Sequence, residues 1–299
     1  MSTMPKVFDR QASRLRRARA ARMLSSGAGK TPDFLLARVA EDFSERLSAI
    51  KRTFVDVLDL GAQHGVVGRR LIANHGYAHV TSADEDAALL AMADGSRVQV
   101  DLERLPFAAA SFDLVVSGLV LQSVDDLPGV LAQVRRMLRP DGLMLAALIG
   151  GRSLTELREA LLAAETEVTG GASPRVAPMV DVRDLGTLLQ RAQFALPVVD
   201  SDVVTVTYAH PLQLLHELRA MGATNGLSDR QRNFLRRAVL VRGLEIYRER
   251  FTDADGRVRA TFEILTATAW APHESQQKPL APGSAQTRLA DALKPRGEE

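Results

Sequence analysis

Short apolar runs alternate with amphipathic stretches from Thr53 to Leu148, and that alternation leaves few architectures open to the chain. TFVDVLDL, from Thr53 to Leu60, is β-branched and apolar and ends at a glycine-containing turn, the pattern of a buried parallel strand. Val66 to Asn74 then reads as helix, Ala78 to Ala83 as strand, Asp86 to Met92 as helix, Arg97 to Val100 as strand and Phe112 to Ser117 as a fourth strand. A helix from about Leu127 to Leu138 stops at Pro140, Asp141 and Gly142, and Leu143 to Leu148 supplies a fifth strand. This spacing predicts an α/β fold built on a doubly wound, mostly parallel sheet, with its ligand at the carboxyl ends of the strands.

After Gly151 the pattern changes. SLTELREALLAAETEV predicts a helix with Ser153 as N-cap and Glu156 completing a capping box. A second helix starts at Asp181, a strand at Val203, and a long basic helix is expected from Arg230 to Arg250. The last strand runs to Trp270. The expected organisation is a basic N-terminal helical segment over 1–50, a domain over 51–270 carrying a helical insertion at about 209–255, and an extended tail over 271–299.

With 38 basic and 36 acidic residues, the overall balance calls for neither nucleic acid nor an anionic membrane as partner. No apolar run approaches the roughly 20 residues that cross a bilayer, so no transmembrane segment is expected and contact with a membrane complex would be peripheral. The charge asymmetry is local: Arg10, Arg14, Arg16, Arg17 and Arg19 face a single acid, Asp9. That opening is either a targeting segment, a solvated helix face, a lid over the ligand site or a partner contact. The absence of cysteine removes disulfides, thiolate zinc sites and cysteine nucleophiles, and suits a reducing compartment. None of the six histidines begins an H-x-D or H-x-E pattern, so no metal site is expected.

The densest chemical signal is VLDLGAQHG, from Val57 to Gly65. A strand, a tight glycine turn and a helix receive nucleotide-like ligands, because glycine permits positive φ and close backbone approach. The dinucleotide fingerprint fails, since Gln63 and Val66 stand at its second and third glycine positions. Asp84 ends the second strand, where two carboxylate oxygens match the vicinal diol of a ribose. Asp101 follows the third strand, where a carboxylate accepts from an exocyclic amino group of adenine. Asp59, Asp84 and Asp101 thus close three successive strands. Each also suits a turn or helix cap.

DLGAQHG, the acid after strand two, DLERLPF, SFDLVVSGLVLQSVDDL and LRPDG together resemble class I S-adenosylmethionine (SAM) methyltransferases, especially the branch grouped with the malonyl-carrier methyltransferase of biotin synthesis. The resemblance implies a seven-stranded sheet with one reversed strand and SAM as cofactor. It carries SAM-contacting roles to Asp59, Gly61 and Gly65 in the turn, Asp84 at the ribose, Asp101 and Leu102 at adenine, and Ser117 and Leu119 after strand four. Gln63 departs from the pattern at a position where the family usually has glycine. It adds bulk and, at positive φ, strain.

VFDRQASRLRRARAA, the stretch from Gly150 to Phe194 and the late PHESQQKPLAPGSA resemble the mitochondrial complex I assembly factors described as protein-arginine hydroxylases, and their bacterial relatives. The match starts at Val7, which favours a folded segment over a targeting one and a bacterial cytoplasmic protein over one of the mitochondrial matrix. What the resemblance implies is modification of an arginine on an iron-sulfur subunit of complex I. Asp125 and Asp126, after strand four, are the candidate receivers of that guanidinium, or else they start the following helix. The two basic surfaces, the opening and Arg230 to Arg250, are expected to meet acidic flanks of the client. Two other readings stand: a SAM-binding assembly chaperone that has lost turnover, and a carboxyl methyltransferase of the biotin-synthesis type.

Overall fold

The computed structural model describes residues 6–26 and 33–277. Two helices, α1 (Arg10–Ser25) and α2 (Phe34–Ser48), precede the sheet. The strands are β1 (Asp56–Leu60), β2 (His79–Asp84), β3 (Ser96–Gln99), β4 (Phe112–Gly118), β5 (Leu138–Ile149), β6 (Ala195–Tyr208) and β7 (Val258–Trp270). They form one seven-stranded sheet in the order β3-β2-β1-β4-β5-β7-β6. Pairing is parallel from β3 through β5. β7 runs antiparallel to both neighbours, so it is the one reversed strand.

Alternation along the strands builds two cores. Val57, Leu114, Val116, Leu143 and Leu145 face one layer, formed with α2, α3 (Val66–His75), α6 (Thr155–Thr169) and α9 (Arg237–Phe251). Leu58, Leu60, Val115, Met144 and Ala146 face the other, formed with α5 (Leu127–Met137) and α7 (Val182–Arg191). Both faces of the central strands β1, β4, β5 and β7 are largely buried, which is why they read as apolar runs, whereas the edge strands β3 and β6 are mostly open.

Several local expectations shift. The helix after β2, α4, is a single turn at Ala87–Leu90. The capping box at Ser153 does not form. Ser153 Oγ instead accepts from the Glu263 amide, the Glu156 carboxylate accepts from the amide and hydroxyl of Thr261 on β7, and α6 starts two residues later behind Leu154 at φ 55°. Two side chains with local roles available were taken by the reversed strand. The basic helix begins at Arg237, not Arg230. Upstream of it, Arg230 pairs with Asp9 at 2.8 Å and bonds its own turn at the Leu227 carbonyl. α8 (Pro211–Ala220) is capped by the His210 ring, which accepts from the Leu212 amide.

Candidate functional site

The turn after β1 brings three of the sequence-selected residues to the strand ends. Gly61 has φ +74°, and a Cβ there would stand 2.1 Å from Val120 Cγ1, so no side chain fits. Gly65 takes a left-handed conformation to start α3. Between them Gln63 holds φ 52° without being glycine. Its amide donates to Asp84 Oδ2 at 2.9 Å, and its side-chain nitrogen donates to the Gly118 carbonyl at 3.1 Å. The side chain therefore spans from the glycine turn to the end of β4.

Asp59 is fully buried on the α3 side of β1, where Oδ2 accepts from the Gly68 amide at 3.0 Å and Oδ1 has no partner. Burial pushes its carboxyl up to about 7, against the Gly68 bond and assisted by the charge of Asp84. It holds the first turn of α3 to the sheet and lies beneath the turn surface. Ser117 is likewise interior, donating to the Leu60 carbonyl. Leu119, at φ 53°, donates its amide to Ala147 at the end of β5.

Asp84 is also fully shielded, and its Oδ1 accepts from the Asp86 amide and from the Arg17 guanidinium of α1. Asp101 accepts from Arg10 and from the Glu103 amide. The Arg10 bond holds the Asp101 carboxyl below its usual range. Arg10 also reaches Glu85 at 2.6 Å, and Glu85 accepts from the buried Leu102 amide. Asp84 and Asp101 thus lie side by side at the carboxyl edge, beneath a basic helix. Sequence reasoning missed Glu85, Glu103 and the pairing of Arg10 and Arg17. The signal was present as charge complementarity, an arginine-rich opening against four acids just after two strands.

Asp125 Oδ1 accepts from the amides of Val7 and Phe8, while Asp126 Oδ1 accepts from the Gly129 amide and caps α5. Both carboxylates carry backbone donors. Tyr208, His216 and Glu217 line a cavity of about 410 Å³ at the carboxyl end of β6. The Tyr208 hydroxyl donates to Glu217 at 2.7 Å, and burial together with that carboxylate raises its pKa, so it stays a proton donor. His64 Nε2 sits 3.0 Å from Asp33 Oδ2 without hydrogen-bond alignment. In the tail, the His273 ring meets Ser275 Oγ at 2.7 Å, and Gln276 donates to Asp141. Lys278 to Ala285 of the late motif lie outside the described residues.

Residues 58–146 match the model of a methyltransferase domain. The mitochondrial arginine-hydroxylase NDUFAF5 of Danio rerio is 37% identical over 297 residues, covering 96% of this chain and 90% of the relative. The chain belongs to the NDUFAF5 arginine-hydroxylase family. The family's likeness to the biotin branch is visible as well. A malonyl-[acyl-carrier protein] O-methyltransferase of Halorhodospira halophila is 34% identical, over 82% of this chain and 83% of that protein. Among solved structures, the YcgJ protein of Bacillus subtilis shares the fold with a TM-score of 0.55 at 14% identity, over 79% of this chain and 99% of its own. No helix among the described residues is long and apolar enough to cross a membrane.

The site residues fit a SAM-like ligand in kind. Asp84 and Asp101 stand at adjacent strand ends, Gly61 and Gly65 give the turn two positive-φ corners with Gln63 and His64 half-buried between them, and the bonds on Asp101 fall on Oδ1. The Gln63 side chain crosses the same region from the turn to Gly118.

Proposed function

We propose that this chain binds SAM at the carboxyl edge of the sheet and modifies an arginine of an iron-sulfur subunit of respiratory complex I, supporting assembly of that enzyme in the bacterial cytoplasm. The observation that carries the proposal is identity to arginine-hydroxylase relatives along nearly the whole chain, the basic opening and the region after β5 included. In this reading Asp84 accepts from the ribose hydroxyls, Asp101 and the Leu102 amide meet adenine, and the turn from Gly61 to Gly65 admits the methionine part. Asp59 and Ser117 support the site from beneath. Asp125 and Asp126 receive the target guanidinium through the oxygens that do not hold backbone donors. Methyl transfer would draw on SAM alone, whereas hydroxylation needs an oxidant in addition.

Mass spectrometry of the iron-sulfur subunits from a deletion strain tests this directly. One arginine should lose its modification, regain it on complementation, and fail to regain it with Asp84→Ala, which removes the diol acceptor. An unchanged subunit in the deletion strain refutes the arginine reading. A second reading, an assembly chaperone without turnover, is favoured by Gln63, whose side chain ties the glycine turn to Gly118. A third, carboxyl methyl transfer of the biotin type, draws on the carrier-protein methyltransferase relatives. A biotin requirement in the deletion strain would favour it.

A further inference from the structure

Arg10 and Arg17 lie seven residues apart on α1, so they leave the same side of the helix. Both point at the strand ends, where Arg17 reaches Asp84 at 2.5 Å and Arg10 reaches Asp101 at 2.5 Å. The two carboxylates expected to meet ribose and adenine are thus held by cations of the chain itself. An ionised carboxylate offers about four lone-pair sites. At Asp84 three are filled, by Arg17 and the Asp86 amide on Oδ1 and by the Gln63 amide on Oδ2. A vicinal diol needs two. Arg17 and a ribose therefore compete for the same oxygen.

We propose that α1 is a latch opened by the cofactor: the ribose takes Asp84 from Arg17, and the release of α1 is passed to the segment between α8 and α9. This rests on the SAM reading above and adds a coupling to it. The connection is visible at the start of α1. The Asp9 amide donates to the Gly226 carbonyl at 2.8 Å, and the Ser228 amide donates to the Val7 carbonyl at 2.9 Å. Phe8 bridges Leu227, and Arg230 pairs with Asp9 at 2.8 Å. One short stretch of chain is stitched to the ligand edge through its arginines and to the insertion through its backbone.

Polar contacts, and little apolar burial, hold the closed position. The buried residues of α1 are Ala12, Ala20 and Ala21, which remove little apolar area from water. Arg16 Nη1 and Arg17 Nε are buried with no acceptor, an uncompensated desolvation. Burial, Arg230 and Arg19 depress the pKa of the Arg16 guanidinium, against the pull of Asp9. Its charged form is therefore disfavoured where it sits, and outward movement of α1 relieves that cost.

Arg17→Met keeps the length of the stem and removes the charge. Calorimetry with S-adenosylhomocysteine should show binding about tenfold tighter or more in Arg17→Met than in the unmodified chain, since a charge-assisted competitor is gone. Arg17→Lys should fall between the two. Hydrogen exchange provides the second reading: α1 amides should exchange faster when the ligand is added to the unmodified protein, and faster in Arg17→Met without ligand. Equal or weaker binding by Arg17→Met, or α1 exchange in the unmodified protein that ligand leaves unchanged, overturns the latch while the SAM site stands. Absence of binding to both proteins at millimolar ligand overturns the SAM site and the latch with it. If Arg17→Met fails to melt cooperatively, exchange in the unmodified protein decides alone.

Discussion

Replacing Asp59 by Asn should make the protein more stable at alkaline pH and nearly unchanged in acid. The carboxyl is fully buried, accepts one amide hydrogen bond and leaves Oδ1 without a partner. The folded state therefore favours its protonated form, raising it from 3.8 to about 7. A raised carboxyl contributes stability that is complete below its unfolded pKa and is lost as pH climbs through the folded one. The native state carries the extra proton between about pH 4 and pH 7, so the slope there is negative, approaching about −1.36 kcal/mol per pH unit. Integrated over that window, the ceiling is about 4 kcal/mol, and relaxation around the ionised group brings the working figure to about 2–4 kcal/mol. Asn keeps the acceptor for the Gly68 amide and cannot ionise. Urea denaturation of both proteins at pH 4.5 and pH 8 should show their stability difference growing by about 2–3 kcal/mol, the part of the window lying above pH 4.5, with Asn the more stable at pH 8. Parallel curves across the window would show that Asp59 ionises without penalty, and would refute the assignment of its proton.

Gln63→Gly should bind S-adenosylhomocysteine at least as tightly in calorimetry, because it removes the bridge to Gly118. Relief of left-handed strain, roughly 1–2 kcal/mol, is offset by roughly 0.5–1 kcal/mol of added chain entropy, so the melting temperature should move little. Loss of ligand binding would give the side chain a positive role. Arg175→Met should cost about 3–5 kcal/mol in chemical denaturation, since it strands the 2% exposed Glu165 carboxylate without its cation. A cost under 1 kcal/mol would show that Ser173, which donates twice to the same carboxylate, is sufficient by itself.

Much of the fold was legible because it rests on local patterns. The strand-ending aspartates and the glycine turn each follow from backbone requirements within a few residues, whereas α5 ends at Met137, ahead of the expected stop, and Pro140 lies inside β5. The features that escaped depend on long-range pairing. Nothing near Ser153 signals that its hydroxyl serves β7, 110 residues away. Nothing near Arg230 signals that Asp9 will claim it, 221 residues back. Arginine side chains are long enough to choose partners that only the tertiary fold presents. The site was legible as a set of carboxylates and the basic opening as one of several roles, a lid over them included, but not which arginine would pair with which acid. Asp126 was readable as a helix cap from its place before Leu127 and Pro128, whereas the hold of Asp125 on the Val7 and Phe8 amides was not.

The outermost strand, β6, is fourteen residues long and carries Val198, Val199, Val203, Val204 and Val206. An edge of that length and composition is a template for adding foreign strands. Asp200, Ser201 and Asp202 divide the valines into two short groups, and the two aspartates are tied by Arg46 at 2.6 Å and Arg38 at 2.8 Å on α2. Pro197, which has no amide hydrogen to offer, lies where the register slips between Ala195 and Val198. The acids act as gatekeepers inside the strand, and helix α2 keeps them oriented. Because α2 precedes the whole sheet, the cations that restrain this edge are already in the chain when β6 is synthesised.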